Sequence, residues 1–216
     1  MVLPARLFLF IISALVLLLT PGPAVLYIIT RSVDQGRKAG MASVLGVELG
    51  NSVHVIAATL GLSAILLTSA LAFNIVKYVG AAYLISQGVR TLLRPATLST
   101  EAESESETPA PKNLGRTFRQ GVVVATLNPK TALFFLAYLP QFVDVSKGHV
   151  SQQFLLLGFL FVGMAIVTDS IYALLSGTAG GLLKRSVWFG HFQRYVAGTI
   201  YIGLGLSAAM GGEGHQ

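Results

Sequence analysis

Thr20-Pro21-Gly22-Pro23 interrupts an apolar run that begins near Leu7 and ends near Ile29. A second apolar run is interrupted at Thr126-Leu127-Asn128-Pro129-Lys130, and Thr and Pro stand three residues apart in both. Because proline removes a backbone donor and clashes with the preceding turn, each run is predicted to be a helix with a broken backbone. In a membrane, such breaks are tolerated where they are packed in protein or line a cavity. Matching breaks in the two halves of one chain indicate the binding site of a transporter.

The composition is that of a polytopic membrane protein. Of the 216 residues, 53% are hydrophobic and 11% are charged, and the mean hydropathy is +0.70, which is more apolar than one soluble core requires. The absence of cysteine excludes disulfides, thiolate metal sites and dithiol redox chemistry. The net charge of +6 would suggest a nucleic-acid partner for a soluble domain, but here the basic residues lie in short loops between apolar runs. No nucleic-acid partner is therefore expected.

About 20 consecutive apolar residues are needed for a helix to cross a bilayer. Six segments meet this requirement, at approximately 5 to 30, 41 to 66, 71 to 93, 120 to 140, 152 to 175 and 195 to 211. The first resembles a signal peptide because Arg6 precedes its apolar core, but the run continues from Ala24 to Ile29, so we interpret it as a span. The fold class predicted from these segments is all-α and integral to the membrane.

Lys and Arg are distributed unequally between the two sets of connections. Eleven of the 15 fall after spans 1, 3 and 5, whereas only Arg6 and Lys147 fall on the other side. The positive-inside rule therefore places both termini outside the cytoplasm. The remaining two lie within spans, where Lys77 is close enough to the end of its span to reach the interface and is assigned no chemistry.

Residues 95–118 are predicted to be a disordered, acidic cytoplasmic linker, because low hydrophobicity and clustered like charge do not support a packed core. The linker separates a first three-helix repeat, residues 1–94, from a second, residues 119–216. The two halves also share a short motif. Span 3 begins with Lys77-Tyr78-Val79-Gly80, and span 6 begins with the similar Arg194-Tyr195-Val196-Ala197. Because each half has an odd number of spans, the repeat is predicted to be inverted, with broken helices 1 and 4.

Several motifs resemble those of the LysE/RhtB amino-acid exporter family, over nearly the whole chain apart from the linker. They are Thr20-Pro21-Gly22-Pro23, Gly36-Arg37-Lys38-Ala39-Gly40, Gly61-Leu62-Ser63-Ala64, Leu127-Asn128-Pro129-Lys130, Leu139-Pro140-Gln141-Phe142-Val143 and Gly203-Leu204-Gly205-Leu206. The resemblance implies an exporter of amino acids or close derivatives in a bacterial inner membrane, driven by the proton gradient. It implies neither an enzyme nor a cofactor.

Ionisable side chains within spans are costly, so each is a functional candidate. Glu48, Asn51 and His54 are spaced by three and share a helical face, with Gly46 and Gly50 permitting close approach of another helix. Glu48 is predicted to hold a substrate ammonium group or to take up a proton, although packing alone would also explain it. Asn51 is interpreted as a polar helix contact or a hydrogen-bonding partner of the substrate. His54 is a candidate for proton coupling, or an imidazole bonded across helices.

Two further charges lie in the second half. Asp169, between Thr168 and Ser170, is a candidate second protonatable group, although it could also reach the interface or bond to those hydroxyls. Lys130 directly follows the second break, where it could attract a substrate carboxylate, neutralise Glu48 or form a purely structural ion pair.

The breaks supply unpaired backbone amides for a carboxylate and carbonyls for an ammonium group, and a zwitterion needs both. The predicted site lies between spans 1 and 4 near the midplane, and the two repeats rock to expose it to either side. Proton binding on Glu48, aided by His54 or Asp169, would couple release to proton entry. The predicted substrate-binding residues are Thr20, Pro21, Gly22, Pro23, Glu48, Asn51, Asn128, Pro129 and Lys130.

Other functions are less well supported by the residues. A metal-ion exporter lacks cysteine and a second nearby histidine, and an exporter of organic cations stays open as an alternative. A membrane enzyme would need a nucleophile and base that no spacing brings together. A non-transport membrane scaffold would not require paired helix breaks, and assembly into a homo-oligomer is compatible with each of these functions.

Overall fold

A computed structural model of the protein describes residues 4–93, 113–183, 195, 198–200, 202–206 and 209–210. Among these residues every secondary-structure element is a helix and no strand occurs, which confirms the all-α prediction. The described residues of the sixth predicted segment are helical. Residues 95–112 of the predicted linker, together with Arg94, Arg194 and Val196, lie outside the described part.

Both predicted breaks are present. Helix α1 spans Pro4–Leu19 and α2 spans Pro23–Gln35, with a bend of 50° between them. Gly22 precedes α2 with an extended backbone, φ −128° and ψ −174°. Pro23 then occupies the first turn of the new helix, where the missing N–H costs no hydrogen bond.

The second broken run begins with α6, Leu114–Thr126, which Asn113 caps by accepting from the Arg116 N–H at 3.0 Å. Residues 114–118, assigned above to the linker, are therefore helical, because an Asn cap outside an amphipathic segment starts a helix there. Helix α7, Pro129–Leu133, follows the break and continues as a π-helix, Phe134–Tyr138, and a 3₁₀-helix, Leu139–Phe142. The two arms are bent by 42°.

Three longer stretches complete the described fold. Helix α3, Arg37–Ala57, passes through a π-helix, Ala58–Leu62, into α4, Ser63–Thr68. Helix α5 covers Ala70–Leu93, and α8 covers Val150–Leu183. Arg37–Ile65 and Val150–Thr178 are long and apolar enough to cross a membrane, and each bent pair adds a further candidate span. Helix α5 is 24 residues long and carries Asn74 and Lys77 among its apolar residues.

Lys77 differs from its predicted position at an interface. Its side chain is 2% exposed, and its ammonium group lies 4.4 Å from the centroid of the Tyr78 ring. Attraction between the cation and the ring partly replaces the lost hydration.

Close contact between α3 and α6 depends on glycine. A Cβ atom on Gly46 would stand 2.1 Å from the Phe118 carbonyl oxygen, and one on Gly50 would stand 2.6 Å from that of Val122. From the other side, a Cβ on Gly121 would meet the Ser43 carbonyl at 2.9 Å. These distances confirm that Gly46 and Gly50 permit close helix approach.

The two ends of the bundle are held by different contacts. At one end, Arg6 at the start of α1 lies 3.7 Å from the Asp144 carboxylate, and the Ser151 hydroxyl donates to Ser63 at 3.2 Å. At the other end, the Ser32 hydroxyl donates to the Ala173 carbonyl, which joins α2 to α8. The start of α1 therefore shares an end with the loop that contains Lys147, as the alternation of spans predicts.

An aromatic cluster fills the core on the Asp144 side of the breaks. It contains Phe10, Phe134, Phe135, Tyr138, Phe142 and Phe161, whose neighbouring ring centroids lie between 5.0 and 6.1 Å apart. The two π-helices lie close to each other on this side. The polar residues of both breaks therefore lie against one face of a tightly packed aromatic core.

Candidate functional site

A small cavity lies between the two breaks. Its free volume is about 20 Å³, which is room for about one water molecule. The first break, the second break, α3 and α8 all contribute to its wall. The lining residues are Leu17, Leu18, Gly22, Ala24, Val25, Val47, Asn51, Asn128, Lys130, Thr131, Phe161 and Asp169.

The carbonyl groups at the first break already have partners in the protein. The Tyr172 hydroxyl donates to the Leu19 carbonyl at 2.9 Å, and the Lys130 ammonium group donates to the Thr20 carbonyl. The Thr20 hydroxyl in turn donates to the Val16 carbonyl at 2.7 Å. In this closed arrangement the protein's own Lys130, rather than a substrate, supplies the ammonium group expected at these carbonyls.

The backbone amides that follow the two breaks differ in whether a side chain caps them. Asn128 caps α7, because its side-chain oxygen accepts from the Lys130 N–H at 3.1 Å and its NH₂ group donates to the Thr131 hydroxyl at 3.2 Å. Among the described residues no side chain caps α2, whose second and third residues, Ala24 and Val25, line the cavity. Uncapped amides at a helix start attract an anion. The first break is therefore the better place for a carboxylate.

Two buried carboxyl groups meet beside the cavity. Glu48 of α3 and Asp169 of α8 lie close enough for their carboxyl groups to interact electrostatically, and the Asn51 NH₂ group donates to Glu48 at 3.1 Å. A hydrogen bond between two carboxyl groups needs a proton on one of them. One oxygen each of Glu48, Asn51 and Asp169 is buried and has no hydrogen-bond partner. These three oxygens can therefore accept further hydrogen bonds.

Lys130 is the positive charge of the site. Its charge and that of Asp169 are near enough to attract each other, which adds Asp169 to the partners considered from the sequence. Its ammonium group bonds to a backbone carbonyl of the other broken helix. Lys130 therefore connects the two breaks directly.

His54 lies next to the second break but does not line the cavity. Its Nε2 is 3.1 Å from the Ala125 carbonyl, and its ring stacks on Phe135 with centroids 6.1 Å apart. The nitrogen bonded to a carbonyl carries the proton, so His54 adds a second donor to a carbonyl that also accepts from the Asn128 N–H at 3.0 Å.

The structure brings most of the predicted residues together. Gly22, Asn51, Asn128, Lys130 and Asp169 line the cavity. Thr20 and Glu48 contact cavity residues. Four others do not line it, namely Pro21, Pro23, Pro129 and His54, and the three prolines shape the backbone around the site.

Tyr172 and Phe161 belong to the site but were missed from the sequence. Tyr172 follows Asp169 by three positions on α8, so helical spacing alone could have placed both on one face. Phe161 lines the cavity and joins the aromatic cluster. No pattern distinguishes it from the other aromatic residues of its helix.

Comparison with known families gives one match over most of the chain. Residues 15–212 match the family described as LysE type translocator, and this range includes both breaks and every residue of the cavity wall. The chain belongs to the LysE type translocator family. It is a multi-pass membrane transport protein, as the resemblance noted in the sequence implies.

Relatives of this translocator span most of its length. A leucine efflux protein of Salmonella typhimurium is 30% identical over 81% of this chain and 84% of the relative. An uncharacterized membrane protein of Bacillus subtilis, YrhP, is 29% identical over 91% of this chain and 95% of the relative. No solved structure matches. Among the described residues of this translocator, no three His, Cys, Asp or Glu side chains come together as a metal site.

Proposed function

We propose that this LysE type translocator exports an amino acid with an apolar side chain, with leucine as the first candidate. The observation that carries the proposal is the cavity bounded by both breaks, which combines one cation, one carboxyl pair and an apolar wall. That wall consists of Leu17, Leu18, Val25, Val47 and Phe161. The leucine efflux activity named for the Salmonella relative agrees with this chemistry.

The substrate's two charges have separate partners in the proposed complex. The ammonium group binds the Asp169 carboxyl, which faces the cavity, with Glu48 behind it. The carboxylate binds the uncapped amides of α2 and the Lys130 ammonium group, which exchanges the Thr20 carbonyl for the substrate. The side chain then lies against the apolar wall, where its burial contributes about 25 cal/mol per Å².

Binding requires the site to open. A cavity that holds about one water molecule is too small for leucine, so this structure corresponds to a closed state. We propose that residues 1–94 and 119–216 form two inverted three-helix repeats, six spans in all, which rock about the breaks. Loss of the bond between Lys130 and the Thr20 carbonyl would separate the two breaks as the site opens.

Proton coupling follows from the carboxyl pair. When a substrate ammonium group binds, both carboxyl groups ionise and the shared proton leaves. When the site faces outward, a proton returns to the pair and weakens the hold on the ammonium group, so that export is coupled to proton entry. His54 keeps the end of α6 in place beside the pair. The setting is a bacterial inner membrane with both termini outside the cytoplasm.

Leucine flux into and out of proteoliposomes under an imposed pH gradient tests the proposal. Asp169→Asn removes the ammonium partner, so we expect leucine transport to fall at least about tenfold, the loss of one charged contact. Glu48→Gln keeps the cavity wall but removes proton exchange, so exchange of leucine for leucine should persist while its response to the pH gradient is lost. Asp34→Asn, an exposed carboxyl of α2, is the matched control and should transport normally.

Substitutions of Lys130 test substrate binding separately from proton coupling. Lys130→Met should raise the leucine concentration at half-maximal exchange, because the carboxylate loses its cation, and Lys130→Arg should restore part of the affinity. If Asp169→Asn, Glu48→Gln and Lys130→Met, each folded in the membrane, transport leucine as the unaltered protein does, the proposed site is wrong.

A further inference from the structure

A second concave site lies on the outer surface of the bundle, away from the cavity between the breaks. It is an open groove of about 400 Å³ between the start of α3 and the start of α6. Its lining residues are Arg37, Lys38, Met41, Ala42, Leu45 and Leu114, none of which lines the cavity between the breaks. A substrate in that cavity would not reach it.

The groove continues an apolar stripe along α3. Lys38, Met41, Ala42 and Leu45 follow one another at helical spacing, and the same face goes on through Leu49, Val53 and Ile56. These last three and Leu45 are 51%, 42%, 54% and 58% exposed. Because the stripe belongs to the candidate span Arg37–Ile65, the hydrocarbon of the bilayer covers it. The groove is therefore open to lipid along its length.

The charges are at the end of the stripe where lipid headgroups lie. Arg37 and Lys38 are exposed and occupy the first two positions of the span. Among the residues that the structure describes, no acidic side chain lies in the first turn of α3 or of α6, and none lines the groove. Asp34 at the end of α2 is outside it. Two cations above an apolar channel match a phosphate headgroup above an acyl chain.

We propose that this groove is a binding site for an anionic phospholipid. The phosphate and the remaining headgroup charge lie on Arg37 and Lys38, and one acyl chain follows Met41, Ala42 and Leu45 into the bilayer. Each basic residue near an anionic lipid surface contributes about fivefold to binding, so the two together give about thirtyfold. The site does not depend on which substrate the protein transports.

Thermal unfolding of the full-length protein in detergent, titrated with single lipids, tests this site. Phosphatidylglycerol should raise the unfolding temperature at a concentration about thirtyfold below that required for phosphatidylcholine with the same acyl chains. In Arg37→Gln/Lys38→Gln this preference should disappear. The matched control, Arg90→Gln/Lys147→Gln, removes two exposed charges elsewhere and should keep it.

Further variants keep the test decisive if the double variant does not fold. Lys38→Gln alone should lose about fivefold of the preference, and Arg37→Lys/Lys38→Arg should retain it. Glycerol phosphate, which has the charge without the chains, should give no stabilisation below millimolar concentration. Equal responses to the two lipids in the unaltered protein, an equal loss in the control, or full stabilisation by glycerol phosphate would each overturn the proposal.

Discussion

Asp144 connects the loop after the second broken run to the start of α1. Its carboxylate accepts from the Ser146 N–H at 3.1 Å and from the Ser146 hydroxyl at 2.5 Å, and it pairs with Arg6 at 3.7 Å. Gln153 holds the backbone of the same residue with two bonds of 2.8 Å. The hydrogen bond from Ser146, followed by the charge of Arg6, lowers the pKa of Asp144 below its ordinary value of 3.8.

This lowered pKa predicts an acid-sensitive contribution to stability. A carboxyl with a lower pKa in the folded state stabilises fully above its unfolded pKa, and that contribution is lost as the pH falls through the folded value. Asp144→Asn should therefore lower the unfolding temperature at pH 7, and the difference from the unaltered protein should shrink below the ordinary value of 3.8 and vanish below the lowered pKa of the folded state. In Ser146→Ala the contribution should be smaller and its loss complete at a higher pH, because the pKa of Asp144 in the folded state then lies closer to the ordinary value. A constant difference at all pH values would contradict this.

Contacts between residues of the same helix could be predicted from the sequence, whereas contacts between residues of different helices could not. The spacing of Glu48 and Asn51 predicts their shared face, and the structure has them bonded at 3.1 Å. The contact between Glu48 and Asp169 depends on how α8 is rotated about its axis. Nearly every face of α8 is apolar, so its sequence pattern does not define that rotation.

At the scale of elements, the pairing of α3 with α6 is the most constrained. Gly46→Ala should destabilise the protein by about 1–3 kcal/mol or prevent folding, since overpacking has that cost and the added methyl group would meet a backbone carbonyl. Gly163→Ala in α8 is the matched control, because in the described part of the chain no atom packed against that face of α8 lies within 4 Å of its added methyl group. Chemical unfolding in detergent measures both. Equal effects of the two substitutions would argue against the close α3–α6 contact.

Broken helices could be predicted from the sequence, and π-helices could not. Proline has an identifiable local effect, so Pro23 and Pro129 fixed where the backbone restarts to within a residue. The π-helices at Ala58–Leu62 and Phe134–Tyr138 contain no residue that requires them. They occur where the chain adds an extra residue to a turn to suit packing against a neighbour, which is a tertiary effect.

For the whole molecule, the proposed orientation makes a direct prediction. The chain has no cysteine, so a cysteine introduced at one position is the only thiol in the protein that a maleimide can label. A membrane-impermeant maleimide should label Lys147→Cys in intact cells and Lys38→Cys only after the cells are opened, because the two positions lie on opposite sides. The unaltered protein should stay unlabelled in both cases. The reverse pattern would place both termini in the cytoplasm.

The bounds of the helices could be predicted from the sequence more closely than the size of the cavity could. Proline breaks and apolar lengths predict where helices begin and end to within several residues, apart from α8, which extends well beyond the predicted 152 to 175. The size of the cavity depends on the distance between the two breaks. The bond from Lys130 to the Thr20 carbonyl holds the breaks close together. Such a bond joins residues 110 positions apart, and no local pattern encodes it.

The small volume between the breaks also affects whether protons can leak through the protein. Protons cross proteins along unbroken files of hydrogen-bonded water, and a space of about 20 Å³ accommodates only one molecule of such a file. Among the described residues, aromatic rings pack on one side of this space and glycine-packed helices on the other. We therefore expect a protein in this state to remain in an energised membrane without letting protons leak through this site.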